Sequence, residues 1–202
     1  MHNSLADQFG NIDIYLFDQL LRGRITSNMS VLDCGCGGGR NLVYLLQNGF
    51  NVRGVDQEPR AIAAIRALAA ELAPNLPAEN FRAEAVEAMS FDNASTDVVL
   101  SSAVLHFARD EQHLRAMITE MWRVLKPGGM LFCRLASTIG MEGRFAHIEG
   151  RVFRLLDGSV RFLVDAELLI SLTQELGGEL FDPIKTTVVH EQRCMTTWVL
   201  RK

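Results

Sequence analysis

The 202-residue sequence is poor in cysteine and has no excess of positive charge. Its four cysteines, Cys34, Cys36, Cys133 and Cys194, follow neither a disulfide nor a zinc-site spacing, so we expect a reducing cytoplasm and no metal. The 20 Lys and Arg residues are outnumbered by 24 Asp and Glu residues, which argues against a nucleic-acid partner. We find no signal peptide and no apolar run long enough for a bilayer, so we expect no membrane partner.

Repeats and low-complexity tracts are also missing, and helical and strand patterns alternate along the chain. We therefore predict a single domain over residues 1–202, with a sheet covered by helices on both faces. A helix after the fourth strand is expected to stop at the turn Lys126–Gly129. The predicted strands are Ser30–Cys34, Asn51–Val55, Phe81–Val86, Asp97–Ser101, Met130–Leu135, Ile184–His190 and Cys194–Leu200. Only a short turn separates the last two strands, so they run antiparallel to each other.

The most informative stretch is Val31–Asn41, which reads VLDCGCGGGRN. Glycines at the end of a buried strand let the backbone approach a nucleotide-like ligand and adopt φ values that a side chain forbids. The helix that follows would begin at the ligand, with its amide groups directed towards it. The carboxylate of Asp33 would repel a pyrophosphate but suits a cationic ligand.

In this loop the chain resembles the class I methyltransferases that use S-adenosylmethionine, whose first motif has the same form. Asp56, at the tip of the second strand, stands where a carboxylate can accept both ribose hydroxyls. The segments Ser90–Phe107 and Arg123–Phe132 are also similar to sequence motifs of this family. In compact size and in the GRN that follows the glycines, the chain is similar to small bacterial methyltransferases of the tellurite-resistance and thiol type.

The resemblance implies a doubly wound α/β fold with a seven-stranded, mostly parallel sheet and an antiparallel C-terminal strand. It implies S-adenosylmethionine as cofactor and S-adenosylhomocysteine as product. The implied cofactor-binding residues are Asp33, Cys34, Gly35, Gly37, Arg40, Asn41, Asp56, Gln57, Ala85, Val86, Ser101 and Ser102. Ala85 departs from the family, where many members place an Asp near the adenine amino group. Adenine contacts then rest on the main chain of Ala85 and Val86, or on Glu84, whose other reading is an exposed acid at the strand end.

Methyl transfer from a sulfonium depends mainly on alignment and a dry pocket, so no catalytic residue is obligatory. His106 follows the fourth strand on the ligand side and is a candidate base, although packing or cofactor shielding explains it equally well. Arg134, at the end of the fifth strand, meets either an anionic substrate or a neighbouring carboxylate.

Two segments stand outside the family pattern, a helical cap over residues 1–29 and an insertion over residues 136–164, which contains a hairpin around Asp157-Gly158. Together they could form a lid over a small-molecule acceptor. Their candidate substrate contacts are Tyr15, Arg144 and His147, against the alternatives of core packing for the tyrosine and solvent exposure for the other two.

Three functions remain in view from the sequence. The leading one is an S-adenosylmethionine-dependent methyltransferase that acts on a small molecule. An NAD(P)-dependent oxidoreductase would share the glycine loop and Asp56. It is disfavoured by Asp33, by the LKPGG segment and by the antiparallel strands at the C-terminal end. The third is a module that binds S-adenosylmethionine without turnover.

Overall fold

The computed structural model describes residues 4–202, so the first three residues of the predicted helical cap lie outside the described part of the chain. Strands and helices alternate along it. The strands are β1 (Ser30–Cys34), β2 (Asn51–Asp56), β3 (Phe81–Ala83), β4 (Thr96–Ser102), β5 (Leu125–Ser137), β6 (Ala146–Glu149), β7 (Val152–Arg154), β8 (Val160–Phe162), β9 (Glu179–Leu180), β10 (Lys185–Val189) and β11 (Arg193–Arg201). The α-helices are α1 (Leu5–Phe9), α2 (Ile14–Leu21), α3 (Val43–Gln47), α4 (Pro59–Leu72), α5 (Glu111–Val124) and α6 (Ala166–Glu175).

The main sheet has the strand order β10-β11-β5-β4-β1-β2-β3. Strands β3, β2, β1, β4 and β5 run parallel to one another, and β11 runs antiparallel to both β5 and β10. The predicted α/β fold with its antiparallel C-terminal strand is therefore confirmed. The sequence did not predict β9, a two-residue strand that pairs with the end of β11.

Both faces of the sheet are covered by apolar helix faces. Helices α5 and α6 pack on one face, and α2, α3 and α4 pack on the other. Helix α5 shows how the sequence specifies this, because Leu114, Met117, Ile118 and Met121 recur at helical spacing and are all buried. Its N-terminus is fixed by Asp110, whose side chain accepts a hydrogen bond from the third amide of the helix at 2.7 Å.

The predicted turn Lys126–Gly129 is a bulge within a strand rather than a connection before one. Strand β5 begins directly after α5, and its ladder with β4 jumps from Leu125 to Met130. The residues between these two positions bulge out of the ladder. A Cβ at Gly129 would lie 2.8 Å from the carbonyl oxygen of Asp97, which explains the glycine.

Two further elements differ from their predicted bounds. The third strand ends at Ala83 and not at Val86, because the chain turns away from β2 after pairing with it over three residues. In the insertion, the predicted two-stranded hairpin is part of a three-stranded antiparallel sheet in the order β6-β7-β8. This small sheet is joined to the main one by a bridge between Ser137 and Val164.

Candidate functional site

A crevice of about 430 Å³ opens at the carboxyl ends of β1, β2 and β4. Parallel α/β sheets bind ligands at this edge, where successive loops diverge to opposite faces. The crevice is lined by Gly35, Asp56, Gln57, Val86, Glu87, Ser102, Ala103, Val104, Phe107, Arg109, His113 and Met117. A smaller hollow shares Gly35 and Ser102 with it and continues over Cys36, Gly37, Gly38, Arg40 and Asn41.

Two glycines of the loop serve different purposes. Gly35 has a φ of +80°, and a Cβ there would lie 2.4 Å from Cγ2 of Val104, so this glycine permits close packing inside the protein. Gly37 has a φ of +52°, but a Cβ there would meet nothing within 4 Å, because the residue faces the open hollow. Gly37 therefore keeps the ligand side of the loop clear.

Asp56 is fixed at the rim of the crevice by backbone amides. Gly37 N donates to its Oδ2 and Glu58 N donates to its Oδ1, each at 2.9 Å. The carboxylate thus connects the tip of β2 to the glycine loop. An acid held in this position can accept hydrogen bonds from a pair of vicinal hydroxyls.

Asp33 lies at the end of β1, beneath the loop, and is 2% exposed. Burial raises the pKa of its carboxyl group from 3.8 to about 7, with Arg40 opposing the rise and Asp56 adding to it. A cation placed beside this carboxylate would stabilise its charged form, which is the electrostatic preference expected from the sequence.

The raised pKa of Asp33 makes the stability of the ligand-free protein depend on pH. Between pH 4 and 7 the folded protein holds a proton that the unfolded chain has released, so the free energy of unfolding falls as pH rises through this window. We expect Asp33→Asn to abolish this fall. At pH 8 the free energy of unfolding of the variant should exceed that of the wild type by on the order of 4 kcal/mol. Urea unfolding at pH 5 and pH 8 measures the difference. Parallel pH profiles for the two proteins would contradict the assignment.

A buried polar network joins the N-terminal helices to the same loop. Asp13, whose side chain is 0% exposed, accepts a hydrogen bond from Arg134 at 2.9 Å. The backbone amide of Asp13 donates to Oδ1 of Asn41, and Arg40 donates to the hydroxyl of Ser102 at 3.0 Å. Of the two readings of Arg134, the geometry matches the neighbouring carboxylate.

His106 is buried, and its Nδ1 has a backbone partner. The backbone amide of Ala136 donates to Nδ1 at 3.3 Å, so the neutral ring carries its proton on Nε2. Burial, together with the nearby Arg161 and Arg193, lowers the pKa of His106 to about 4. A neutral ring with its one lone pair already engaged is a poor general base, and the geometry matches packing better than proton transfer.

The structure does not bring the other candidate substrate contacts to the crevice. The Tyr15 hydroxyl lies 2.6 Å from Oγ1 of Thr187, and its ring packs under the guanidinium of Arg134. Arg144 pairs with Glu191 at 3.3 Å, and His147 is exposed with Nε2 at 2.9 Å from the carbonyl oxygen of Gly150. Their contact with an acceptor stays a prediction.

Of the predicted cofactor-binding residues, most line the crevice or the hollow. Four of them, Asp33, Cys34, Ala85 and Ser101, do not line either space. Burial raises the pKa of the Cys34 thiol well above its usual range, and its Sγ lies 3.7 Å from Sδ of Met89. Glu84 is held by Ser90, whose backbone amide donates to it at 2.8 Å, so the strand-end reading of this acid fits the structure.

Sequence reasoning missed the far end of the crevice, formed by Glu87, Phe107, Arg109 and His113. These residues come from the turn after β3, from the loop after β4 and from the first turn of α5, and only the folded sheet brings these segments together. Within residues 4–202 we find no group of three or more His, Cys, Asp or Glu side chains placed to hold a metal ion. In the same range, every helix is too short or too polar to cross a membrane.

Comparison with known sequences gives one family. Residues 32–133 match the model of the family described as "Methyltransferase domain". An uncharacterized methyltransferase of Synechocystis sp. is 35% identical over 106 residues, which make up 52% of this chain and 46% of that protein. A ubiquinone biosynthesis O-methyltransferase of Idiomarina loihiensis is 26% identical over 186 residues, or 84% of this chain and 72% of that protein. The chain spans less than half the length of the Synechocystis protein and of two further ubiquinone biosynthesis O-methyltransferases, from Chelativorans sp. and Methylobacterium nodulans.

Solved structures share the fold over nearly the whole chain. An S-adenosylmethionine-dependent methyltransferase from Methanosarcina mazei superposes with a TM-score of 0.73 at 22% identity, covering 91% of this chain and 96% of that one. The 1,6-didemethyltoxoflavin-N1-methyltransferase of Burkholderia thailandensis, solved with S-adenosylhomocysteine, superposes with a TM-score of 0.69 at 19% identity and covers 96% of this chain and 79% of that one.

Proposed function

Because this chain belongs to the methyltransferase domain family, we propose that it transfers the methyl group of S-adenosylmethionine to a small-molecule acceptor. The single observation that carries the proposal is the acid-glycine loop, with its open space at Gly37, with Asp56 at the rim of the crevice and with the buried carboxyl group of Asp33 beneath the loop. A dinucleotide with its pyrophosphate would place negative charge beside Asp33, whereas a sulfonium or ammonium is attracted to it.

The residues present fit S-adenosylmethionine. The space beside Gly37 and Gly38, which a Cβ would partly fill, accommodates a ligand against the backbone. Arg40 lines this hollow and suits the methionine carboxylate, and Asp56 suits the ribose hydroxyls. When bound, the cofactor supplies a methyl group on a good leaving group, open to in-line displacement.

The protein then contributes by positioning the methyl donor and by excluding water. The glycine loop, Asp56 and Asp33 orient the donor, and the buried network around Asp13 holds the N-terminal helices against the loop. We assign no general base, because His106 has its Nδ1 lone pair engaged by a backbone amide. The acceptor atom is expected to be nucleophilic without one, or to lose its proton to solvent.

The insertion is proposed to border the acceptor site through Arg161. The guanidinium of Arg161 stacks over the ring of Phe107 at 4.6 Å, and Phe107 lines the crevice while 59% exposed. Arg161 thereby reaches the crevice, whereas Arg144 pairs with Glu191 and His147 with the carbonyl oxygen of Gly150.

The test of the proposed function is a ligand panel. We expect S-adenosylmethionine and S-adenosylhomocysteine to raise the melting temperature, and NAD and NADP to leave it unchanged, because a ligand that binds only the folded state stabilises it. An acceptor screen with a labelled methyl donor then separates an enzyme from a module that binds without turnover. Stabilisation by NAD or NADP alone would replace the proposal with an NAD(P)-dependent oxidoreductase.

The state of the four cysteines supports a cytoplasmic location. The four cysteines are free and buried, so the fold requires no oxidising compartment.

If the insertion borders the acceptor site, a change in it should affect binding of the acceptor and not binding of the cofactor. Arg161→Ala should raise the acceptor KM about three- to tenfold, because it removes a cation from the aromatic rim, while the affinity for S-adenosylhomocysteine stays unchanged. Arg154→Ala, on the neighbouring strand β7, is the matched control, since this exposed arginine bonds to the carbonyl oxygen of Gly158 and does not line the crevice. Equal acceptor KM values for both variants and the wild type would remove Arg161 from the site.

A further inference from the structure

We propose that the methyl acceptor is an aromatic carboxylate, whose ring packs beside Phe107 and whose negative charge is held by Arg161 and Arg193. The inference rests on the proposed function and deepens it, because it names the chemical class of the acceptor. None of these three residues is among those assigned to the cofactor.

Phe107 offers an aromatic surface at the rim of the crevice. It lines the crevice, yet 59% of the residue is exposed. The loop that carries it is held in place, because its backbone amide donates to the carbonyl oxygen of Val104 at 2.9 Å. A second aromatic ring gains by packing offset or edge-on against such a side chain, so the rim favours a flat aromatic ligand over an aliphatic one.

The guanidinium group of Arg161 lies directly against this surface. Its Cζ is 4.6 Å from the centroid of the Phe107 ring, and its Nη1 donates to the carbonyl oxygen of Val160 at 2.7 Å. A guanidinium has five N–H donors in a planar fork that matches the geometry of a carboxylate. Arg161 therefore keeps donors for an anionic group that binds next to the ring.

A second cation comes from the start of β11. Because β11 runs antiparallel to β5, its first residue, Arg193, stands beside the end of β5, where Cys194 pairs with Ser137. Burial lowers the pKa of His106 to about 4, and the charges of Arg161 and Arg193 add to this effect. Both guanidinium groups thus act on one imidazole, which stays neutral at pH 7 and adds no charge of its own.

The two cations are not neutralised by carboxylates in contact with them. In the part of the chain that the structure describes, neither Arg161 nor Arg193 forms an ion pair, whereas Arg151 of the same insertion pairs with both Glu111 and Asp165. An arginine without an acidic partner at the rim of a binding crevice is suited to an anionic ligand.

The charge balance around these arginines suits a single negative charge. The hydroxyl and the amide of Ser159 lower the pKa of Asp157 by hydrogen bonding, and the charges of Arg193 and Arg161 lower it further. Two guanidinium groups and this one carboxylate leave one positive charge in excess. A carboxylate ligand neutralises that excess, whereas a phosphate would bring nearly twice the charge.

The experiment compares two probes, 2-naphthoate and 2-naphthamide, which share a ring system and differ in charge. Calorimetry measures their binding to the full chain saturated with S-adenosylhomocysteine. We expect the wild type to bind the carboxylate about tenfold more tightly than the amide, the lower end of the range for hydrogen bonds to a charged group, because the rim is open to solvent. The ratio of the two affinities should fall at high salt, since screening weakens only the charged probe.

Arg161→Gln should bring this ratio to within about threefold of one, because it removes the charge and the planar fork. Arg193→Gln should also lower the ratio. Arg154→Gln is the matched control, since it removes one positive charge from the same small sheet at a residue that does not line the crevice. It should keep the wild-type ratio.

Phe107→Leu tests the contact with the ring. The variant should bind both probes about two- to tenfold more weakly, the range of an aromatic pair. If both affinities stay at the wild-type level, the ring does not pack beside Phe107 and this part of the inference is overturned.

The binding of S-adenosylhomocysteine, measured on the same samples, separates the inference from the proposed function. If that ligand binds but the wild type binds the two probes equally, or binds neither, the inference is overturned while the proposed function stands. A ratio that falls as far in Arg154→Gln as in Arg161→Gln also overturns it, because the effect then belongs to the overall charge of the protein. If S-adenosylhomocysteine does not bind, the proposed function fails and the inference fails with it.

Discussion

Gly37→Val is expected to lower the affinity for S-adenosylhomocysteine by more than about a hundredfold, because the new side chain occupies space that the ligand needs. A Cβ at this position meets no protein atom within 4 Å, so its volume projects into the hollow over the loop. The φ of +52° adds a cost to the fold of about 1–2 kcal/mol, because side chains disfavour this region. Calorimetry measures the affinity, and urea unfolding measures the stability.

Gly49→Val separates these two effects. Gly49 ends α3 with a φ of +72°, and a Cβ there also meets nothing within 4 Å, but the residue does not line the crevice. We expect this variant to lose a similar amount of stability while it binds the ligand as the wild type does. Wild-type affinity in Gly37→Val would place the ligand elsewhere.

The sequence predicted those parts of the site that depend on local rules. The strand Ser30–Cys34, which carries Asp33, and the glycine loop after it were predicted from neighbouring residues alone, and the structure has both. The acid at the tip of the next strand, Asp56, is close to this loop because parallel neighbours end at the same edge of a sheet. The α/β fold was predicted in the same way, from the alternation of strand and helix patterns along the chain.

The rest of the site depends on contacts between distant segments. His113 was not predicted as a site residue, since nothing in its own stretch of sequence indicates that its Nε2 lies 3.0 Å from Oε1 of Glu87. Arg134 left two readings open, because its partner Asp13 is separated from it by more than half of the chain. His106 was a reasonable base from its position, and only the amide of Ala136 on the neighbouring strand shows that its lone pair is engaged.

The pair of Asp13 and Arg134 carries the second large expected effect. Arg134→Met should lower the free energy of unfolding by about 3–5 kcal/mol, because it leaves a fully buried carboxylate without its cation. Asp13 also caps α2 by accepting from the amide of Tyr15 at 2.9 Å, so its burial cannot easily be relieved. Urea unfolding of the wild type and the variant measures the loss.

The double variant Asp13→Asn/Arg134→Met shows whether the pair of Asp13 and Arg134 stabilises the fold or whether Arg134 contacts the acceptor. Asparagine keeps the cap on α2 and removes the charge, so we expect the double variant to regain most of the stability that the single variant loses. Arg144→Met is the control, since it breaks the exposed pair with Glu191 and should leave stability unchanged. If the double variant folds well but its acceptor KM rises strongly, Arg134 contacts the acceptor after all. If it also keeps the wild-type acceptor KM, the guanidinium serves to hold the N-terminal helices against the cofactor loop.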